Sequence, residues 1–149
     1  MRFIIALLLS FTLCVPVLSC SKTDTTGDTS VVNKEETHTQ IINLSYAILS
    51  TLGETYDFAM KAVADGQSKG KITSEQRERI NKVAQVYYDS YQAAVSLLTV
   101  YKDTVIRLGD VPETVSLNIQ LLAVMSGAMT HLSTLVKEVK ALNLSIGNL

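Results

Sequence analysis

Ile80, Ala84, Tyr87, Tyr91, Ala94, Leu98, Tyr101, Val105 and Leu108 follow one another at alternating intervals of four and three residues. That rhythm keeps all nine on one stripe of an α-helix, whereas a strand alternates every second residue. It predicts a helix over Ser74 to Leu108, and a helix with such a stripe has to bury it against other helices. Thr73-Ser74-Glu75-Gln76 supplies a capping box, in which the threonine oxygen meets an orphan amide and the glutamine reaches back. Gly109 stops the pattern.

Two further stretches have the same spacing. Between about Glu35 and Ala64, Ile41, Ile48, Leu52, Ala59 and Val63 share a face, with Ile42, Leu49, Tyr56 and Met60 beside it. Asp65-Gly66 is read as the end of that helix and residues 67–72 as a hairpin tip. The third helix opens at Asp110-Val111-Pro112-Glu113, where proline suits the first turn and acids suit the positive end of the dipole. Val115, Leu122, Met125, Met129, Leu132, Val136 and Val139 form its stripe, widened by Leu121, Ala128, Leu135 and Leu142. Ser126-Gly127, with Ala123, reads as a small-residue patch where a neighbouring helix packs closely within the bundle, a dimer face being its other use. Tyr87, Tyr91 and Tyr101 read as core rings with hydroxyls turned to the edge. Short connections between helices of similar length predict an all-α fold: an elongated up-down-up antiparallel three-helix bundle with coiled-coil-like packing, residues 35–149, after a flexible tether. The heptad spacing would serve an intermolecular coiled coil equally well.

Ahead of the helices stand Met1-Arg2, the apolar run Phe3 to Leu9, and Val17-Leu18-Ser19-Cys20-Ser21. One positive charge, a short apolar run and a small residue before a cysteine predict an export signal over residues 1–19, removed ahead of Cys20. The run is broken by Ser10, Thr12 and Pro16 and falls short of the roughly 20 residues a membrane span needs. Ser19-Cys20 and their surroundings resemble the lipobox of bacterial lipoproteins, although Val17 and Leu18 stand where that family more often has Leu and then Ala or Ser. The resemblance implies a diacylglyceryl thioether, and usually an N-acyl chain, on Cys20, and so a membrane anchor. It also implies, from Ser21, the outer membrane facing the periplasm in a Gram-negative host. Cys14 would leave with the signal, so the mature protein would have no disulfide and no free thiol. Residues 20–34 are small and polar and read as the lipidated cysteine and a flexible tether, whose dozen or so residues reach roughly 20 Å.

Thirteen basic residues stand against 14 acidic ones, and loss of Arg2 would move the formal net charge of −1 further negative. Without a basic stripe there is no case for nucleic acid. His38 and His131 are far apart in sequence and read as surface or bundle-edge residues. Glu35-His38 matches one half of a di-metal helix motif whose second copy is missing, so no metal and no cofactor is expected. No nucleophile motif occurs, and the chain is not expected to be an enzyme.

One pattern points towards function. Residues 39–53, 90–101 and 114–136 contain no Asp, Glu, Lys or Arg, although each stretch lies within a predicted helix. Its outward positions are Ser, Thr, Asn and Gln instead of charges, and interface cores are depleted of charge. Asn43, Ser50, Ser96, Thr99, Ser116 and Gln120 are the candidate interaction surface. The expected function is that of a membrane-anchored periplasmic or cell-surface lipoprotein that binds or scaffolds, with another copy or an envelope protein as partner. The alternative is a membrane-active, envelope-modifying protein of the phage or competition type, whose uncharged third helix inserts into lipid.

Overall fold

The computed structural model describes residues 34–144, except for the side chains of Lys34 and Glu35. The expected signal segment, Cys20 and the tether up to residue 33 lie outside the described residues; Lys34 is already helical. Three helices follow: α1 (Lys34–Ser68), α2 (Ser74–Leu108) and α3 (Pro112–Ala141). They pack against one another as an all-α bundle, with α2 antiparallel to both neighbours and α1 parallel to α3. At 1.5 Å per residue each helix is about 45–50 Å long.

The ends of α2 form as their residues require. Thr73 Oγ1 accepts from the Gln76 amide at 3.1 Å, and the Thr73 amide donates to Gln76 Oε1 at 2.8 Å. Gly109, at φ 70°, donates its amide to the Val105 carbonyl and turns the chain towards Pro112. The first connection differs from expectation. α1 runs through Asp65 and Gly66 to Ser68, and Gly70, at φ +64°, makes the turn. Gly66 serves packing instead: a Cβ there would sit 2.5 Å from Leu144 Cδ2, so its absence lets Leu144 lie on the α1 backbone.

The predicted stripe of α2 is the centre of the molecule. Ile80, Ala84, Tyr87, Ala94, Leu98 and Tyr101 are buried, Tyr91 and Val105 partly so. Leu108 departs from the prediction: in the last helical turn it is half exposed. Across from this seam α3 presents Leu121, Met125, Ala128, Leu132, Leu135 and Val139. α2 and α3 form the most intimate pair, and buried alanines at 84, 94 and 128 are among the small residues of the core. α1 stands further off, with rings filling the gap: Tyr56 stacks on Tyr87 with centroids 5.0 Å apart, and Tyr91 lies beside Gly53.

In α3 the inward stripe is rotated from the predicted one. Val115 and Leu122 are exposed, and Thr114 and Leu121 are fully buried in their place. Thr114 can go inside because its hydroxyl accepts from the Val111 amide at 3.1 Å and donates to the Val111 carbonyl at 2.7 Å. In α1 the inward line runs through His38, Ser45, Leu52 and Ala59, spaced by seven, and leaves Ile41 and Ile48 half-buried. The Ser126-Gly127 patch is not a close contact within the bundle. Ser126 is exposed, and a Cβ on Gly127 would meet nothing within 4 Å.

Leu98 is 1 % exposed, so Leu98→Ala should cost about 2–5 kcal/mol in thermal or denaturant melts. Ser96→Ala on the outer side should stay within about 0.5 kcal/mol. Gly127→Ala should stabilise by roughly 0.5–1 kcal/mol, since alanine removes backbone freedom from a helix interior and here meets open space. A destabilised Gly127→Ala would show that this face is already covered.

Candidate functional site

Where α1 begins and α2 ends, the bundle buries polar groups. His38 is 8 % exposed. Its Nδ1 lies 2.7 Å from the Tyr101 hydroxyl and its Nε2 lies 3.6 Å from Asp110 Oδ1, in the turn between α2 and α3. With the phenol donating to Nδ1, the remaining ring N–H faces Asp110, and one tautomer serves both neighbours. The surface reading of His38 is thereby corrected: the residue occupies the first inward position of α1. Sequence spacing carried a signal for this, since His38 lies seven residues before Ser45 and fourteen before Leu52.

Beside this cluster opens a cleft of about 590 Å³ whose walls include Ile42, Lys102, Val105 and Ile106. An aspartate, histidine and tyrosine in series suggest proton transfer, but Tyr101 is fully buried. Burial first, and Asp110 second, push its phenol above the ordinary range. A phenol that holds its proton and touches no solvent is no nucleophile. The cluster instead ties the first turns of α1 to the end of α2. Among the described residues no three His, Cys, Asp or Glu side chains gather as metal ligands; the Glu35 side chain is outside that set.

The hydroxyl of Tyr87 differs from expectation. It is not turned to the edge but buried without a hydrogen-bond partner, as is Oδ1 of Asn118. Burial, followed by the neighbouring Tyr91, Tyr56 and Asp57, pushes the Tyr87 phenol far up.

The six candidate interaction residues are all exposed. They do not form one patch. Contacts fix the edges of each helix: Gly53 with Tyr91 and Tyr56 with Tyr88 join α1 to α2, Arg79 with Glu138 at 2.8 Å joins α2 to α3, and Gly66 with Leu144 joins α1 to the end of α3. With 3.6 residues per turn, these anchors place Asn43, Ser50, Ser96 and Thr99 on the side shared by α1 and α2, where exposed Asp57 and Asp103 also lie. Ser116 and Gln120, 3.2 Å apart, lie on α3 towards α2.

The uncharged surface is longest on α3, where 114–136 hold no charged residue. Val115, Ile119 and Leu122 are 51 %, 64 % and 47 % exposed, and Leu44 of α1, also half exposed, flanks them across the α1–α3 groove. The uncharged stretches of α1 and α3 come level there because the two helices are parallel. The sequence reading missed this face because it assigned Val115 and Leu122 to the core; their 4-and-3 spacing with Ile119 was the available signal. Comparison with protein-family models, with curated proteins and with solved structures gives no match.

Tyr101→Phe should cost about 1–3 kcal/mol, because it strands the buried His38 nitrogen. Tyr87→Phe removes an unpaired hydroxyl and should be neutral or stabilising. Its effect should grow with pH. A phenol held neutral in the folded chain contributes stability that is intact below the unfolded value near 10 and is lost as pH rises above it. Melts of the two variants between pH 7 and 11 check both; an unchanged alkaline limit in Tyr87→Phe would reject the burial of that phenol.

Proposed function

We propose that this protein is a lipid-anchored helical protein of the bacterial cell envelope, facing the periplasm or the cell exterior, whose role is to bind or scaffold a protein partner. The observation that carries the reading is the uncharged, apolar outer side of α3. Soluble monomers seldom expose a contiguous apolar patch without a use for it. Support for the anchor comes from the sequence alone, in the lipobox-like Ser19-Cys20 after a short apolar run. A lipid on Cys20 would confine the bundle to a membrane surface and offer its sides to neighbours, as suits a scaffold better than a diffusing enzyme.

A second reading draws on α3, which is long and apolar enough to cross a membrane, with only 28 % of its most apolar window buried. Insertion would, however, pull Leu121, Leu132, Leu135 and Val139 away from α2 and break the Arg79–Glu138 pair. Liposome leakage caused by the protein would favour this reading over binding.

Metabolic labelling with a clickable fatty acid tests the anchor. Wild type should label and fractionate with membranes, whereas Cys20→Ser should lose the label and appear as unprocessed precursor or released protein. Equal labelling of the two would sink the lipoprotein reading.

A further inference from the structure

We infer that the outer face of α3 binds a second copy of this chain, side by side and parallel, so that α3 packs on α3 at equal height. The inference rests on the anchored-scaffold reading and names its partner. Val115, Ile119, Leu122 and Ser126 follow one another at 4-and-3 spacing on α3, exposed and distinct from the core stripe; Met129, the next position, is half-buried, and Ser133 is exposed again beyond it. A 3.5-residue repeat on a free face is what a helix needs to meet another helix lengthwise.

Hydroxyls at both edges of the face are already bonded to the backbone: on the edge of α3 towards α2, Thr130 Oγ1 donates to the Ser126 carbonyl at 3.0 Å and Thr134 Oγ1 to the Thr130 carbonyl at 3.1 Å. On the flanking edge of α1, Thr51 and Thr55 donate to the Ala47 and Thr51 carbonyls at 3.0 and 2.8 Å. Covering such a surface strands few donors, which is the usual cost of burying hydroxyls. It also holds no charge from 114 to 136, so two copies meet without the repulsion that makes most surfaces poor partners for themselves. A lipid surface is the weaker fit, because no basic residue accompanies the aliphatic ones within that span.

Size and orientation agree. From Val115 to Val136 the face is about 33 Å long, and with the α1 flank it is about two helix widths, or 20 Å, across. That area approaches the roughly 800 Å² per partner of a standard interface. The large residues occupy the half of α3 nearest the start of α1, and the small ones Ser126 and Ser133 the other half. A parallel pairing over the full length sets aliphatic against aliphatic and small against small. It also sets the starts of both α1 helices at the same end of the dimer, which suits two chains anchored to one membrane, where confinement to a plane raises the effective concentration.

The test uses the full chain extracted in detergent. Wild type should sediment as a dimer. Ile119→Glu, an exposed change that spares the melting temperature, should weaken association about a hundredfold or more, while Ser96→Glu on the opposite side leaves it unchanged. Ser133→Cys should form a disulfide-linked dimer under mild oxidation, above a wild-type background; an antiparallel pair centred on Ile119 would hold the two cysteines apart. A monomeric wild type, a dimer indifferent to Ile119→Glu, or a Ser133→Cys chain that does not cross-link overturns the inference. So does an environment-sensitive dye on Ile119→Cys that shifts to the blue on vesicles of phosphatidylethanolamine and phosphatidylglycerol with no dimer present. Fatty-acid labelling of the same samples separates the two claims: a labelled monomer defeats the pairing alone, and an unlabelled dimer defeats the anchor alone.

Discussion

The close seam between α2 and α3 is the contact on which the rest of the bundle depends. Leu98 of α2 and Leu121, Leu132, Leu135 and Val139 of α3 are almost wholly buried. Once that pair is set, the remaining apolar edge of α2 is aromatic, and α1 has to pack over rings instead of methyl groups. Tyr56, Tyr87 and Tyr91 therefore act as a spacer that holds α1 at a greater distance. The spacing has a cost in unpaired polar atoms. The Tyr87 hydroxyl lies inside the ring cluster with nothing to bond, and such a group is tolerated only where the surrounding packing outweighs it.

The fold was legible because its period was legible. The stripe from Ile80 to Tyr101 is unambiguous in sequence, and both ends of α2 carry residues whose chemistry closes a helix at those points. Rotation about the helix axis was less legible. α3 is apolar over so wide an arc, with Leu121 beside Leu122 and Val124 beside Met125, that hydropathy cannot say which edge faces in. The deciding group is Thr114, a polar residue drawn inside by two hydrogen bonds to Val111, and a pattern search counts it on the wrong side. His38 misled in the same way. A histidine among polar neighbours reads as surface until Tyr101, 63 positions later, supplies its partner.

The candidate site was legible only in part. The absence of charge over three stretches is a sequence fact, but where it falls on the molecule depends on topology. The three uncharged stretches lie level: His38 meets Tyr101 and Gly53 lies beside Tyr91, so residues 39–53 of α1 run alongside 90–101 of the antiparallel α2, and the parallel α3 brings 114–136 to the same height. The uncharged waist therefore goes round the bundle and is longest on α3, while Asp57 and Asp103 lie just beyond its ends on the α1–α2 side. Asn43, Ser50, Ser96 and Thr99 are exposed as expected on the α1–α2 side, beside the exposed Tyr46, Tyr88 and Ile106, while Leu44, Val115, Ile119 and Leu122 carry the apolar character of the α3 side.

The buried polar cluster and the uncharged surface are coupled through register. The bond from His38 to Tyr101 fixes the height at which α1 starts against α2, and the short turn through Gly109 fixes α3 against α2 in turn. Together they fix α1 against α3. A slip of α1 by one turn, about 5.4 Å, would leave most apolar contacts of its heptad line replaceable by others of the same kind. It would not replace the hydrogen bond, because no other position on that line offers a group to Tyr101 at the same height; Ser45, the next polar residue inward, lies two turns away. A single polar pair can therefore specify what a repetitive apolar seam leaves degenerate. The height it selects is the one that brings the uncharged stretches of the three helices level, so the group that orders the interior also determines the composition of the exposed surface.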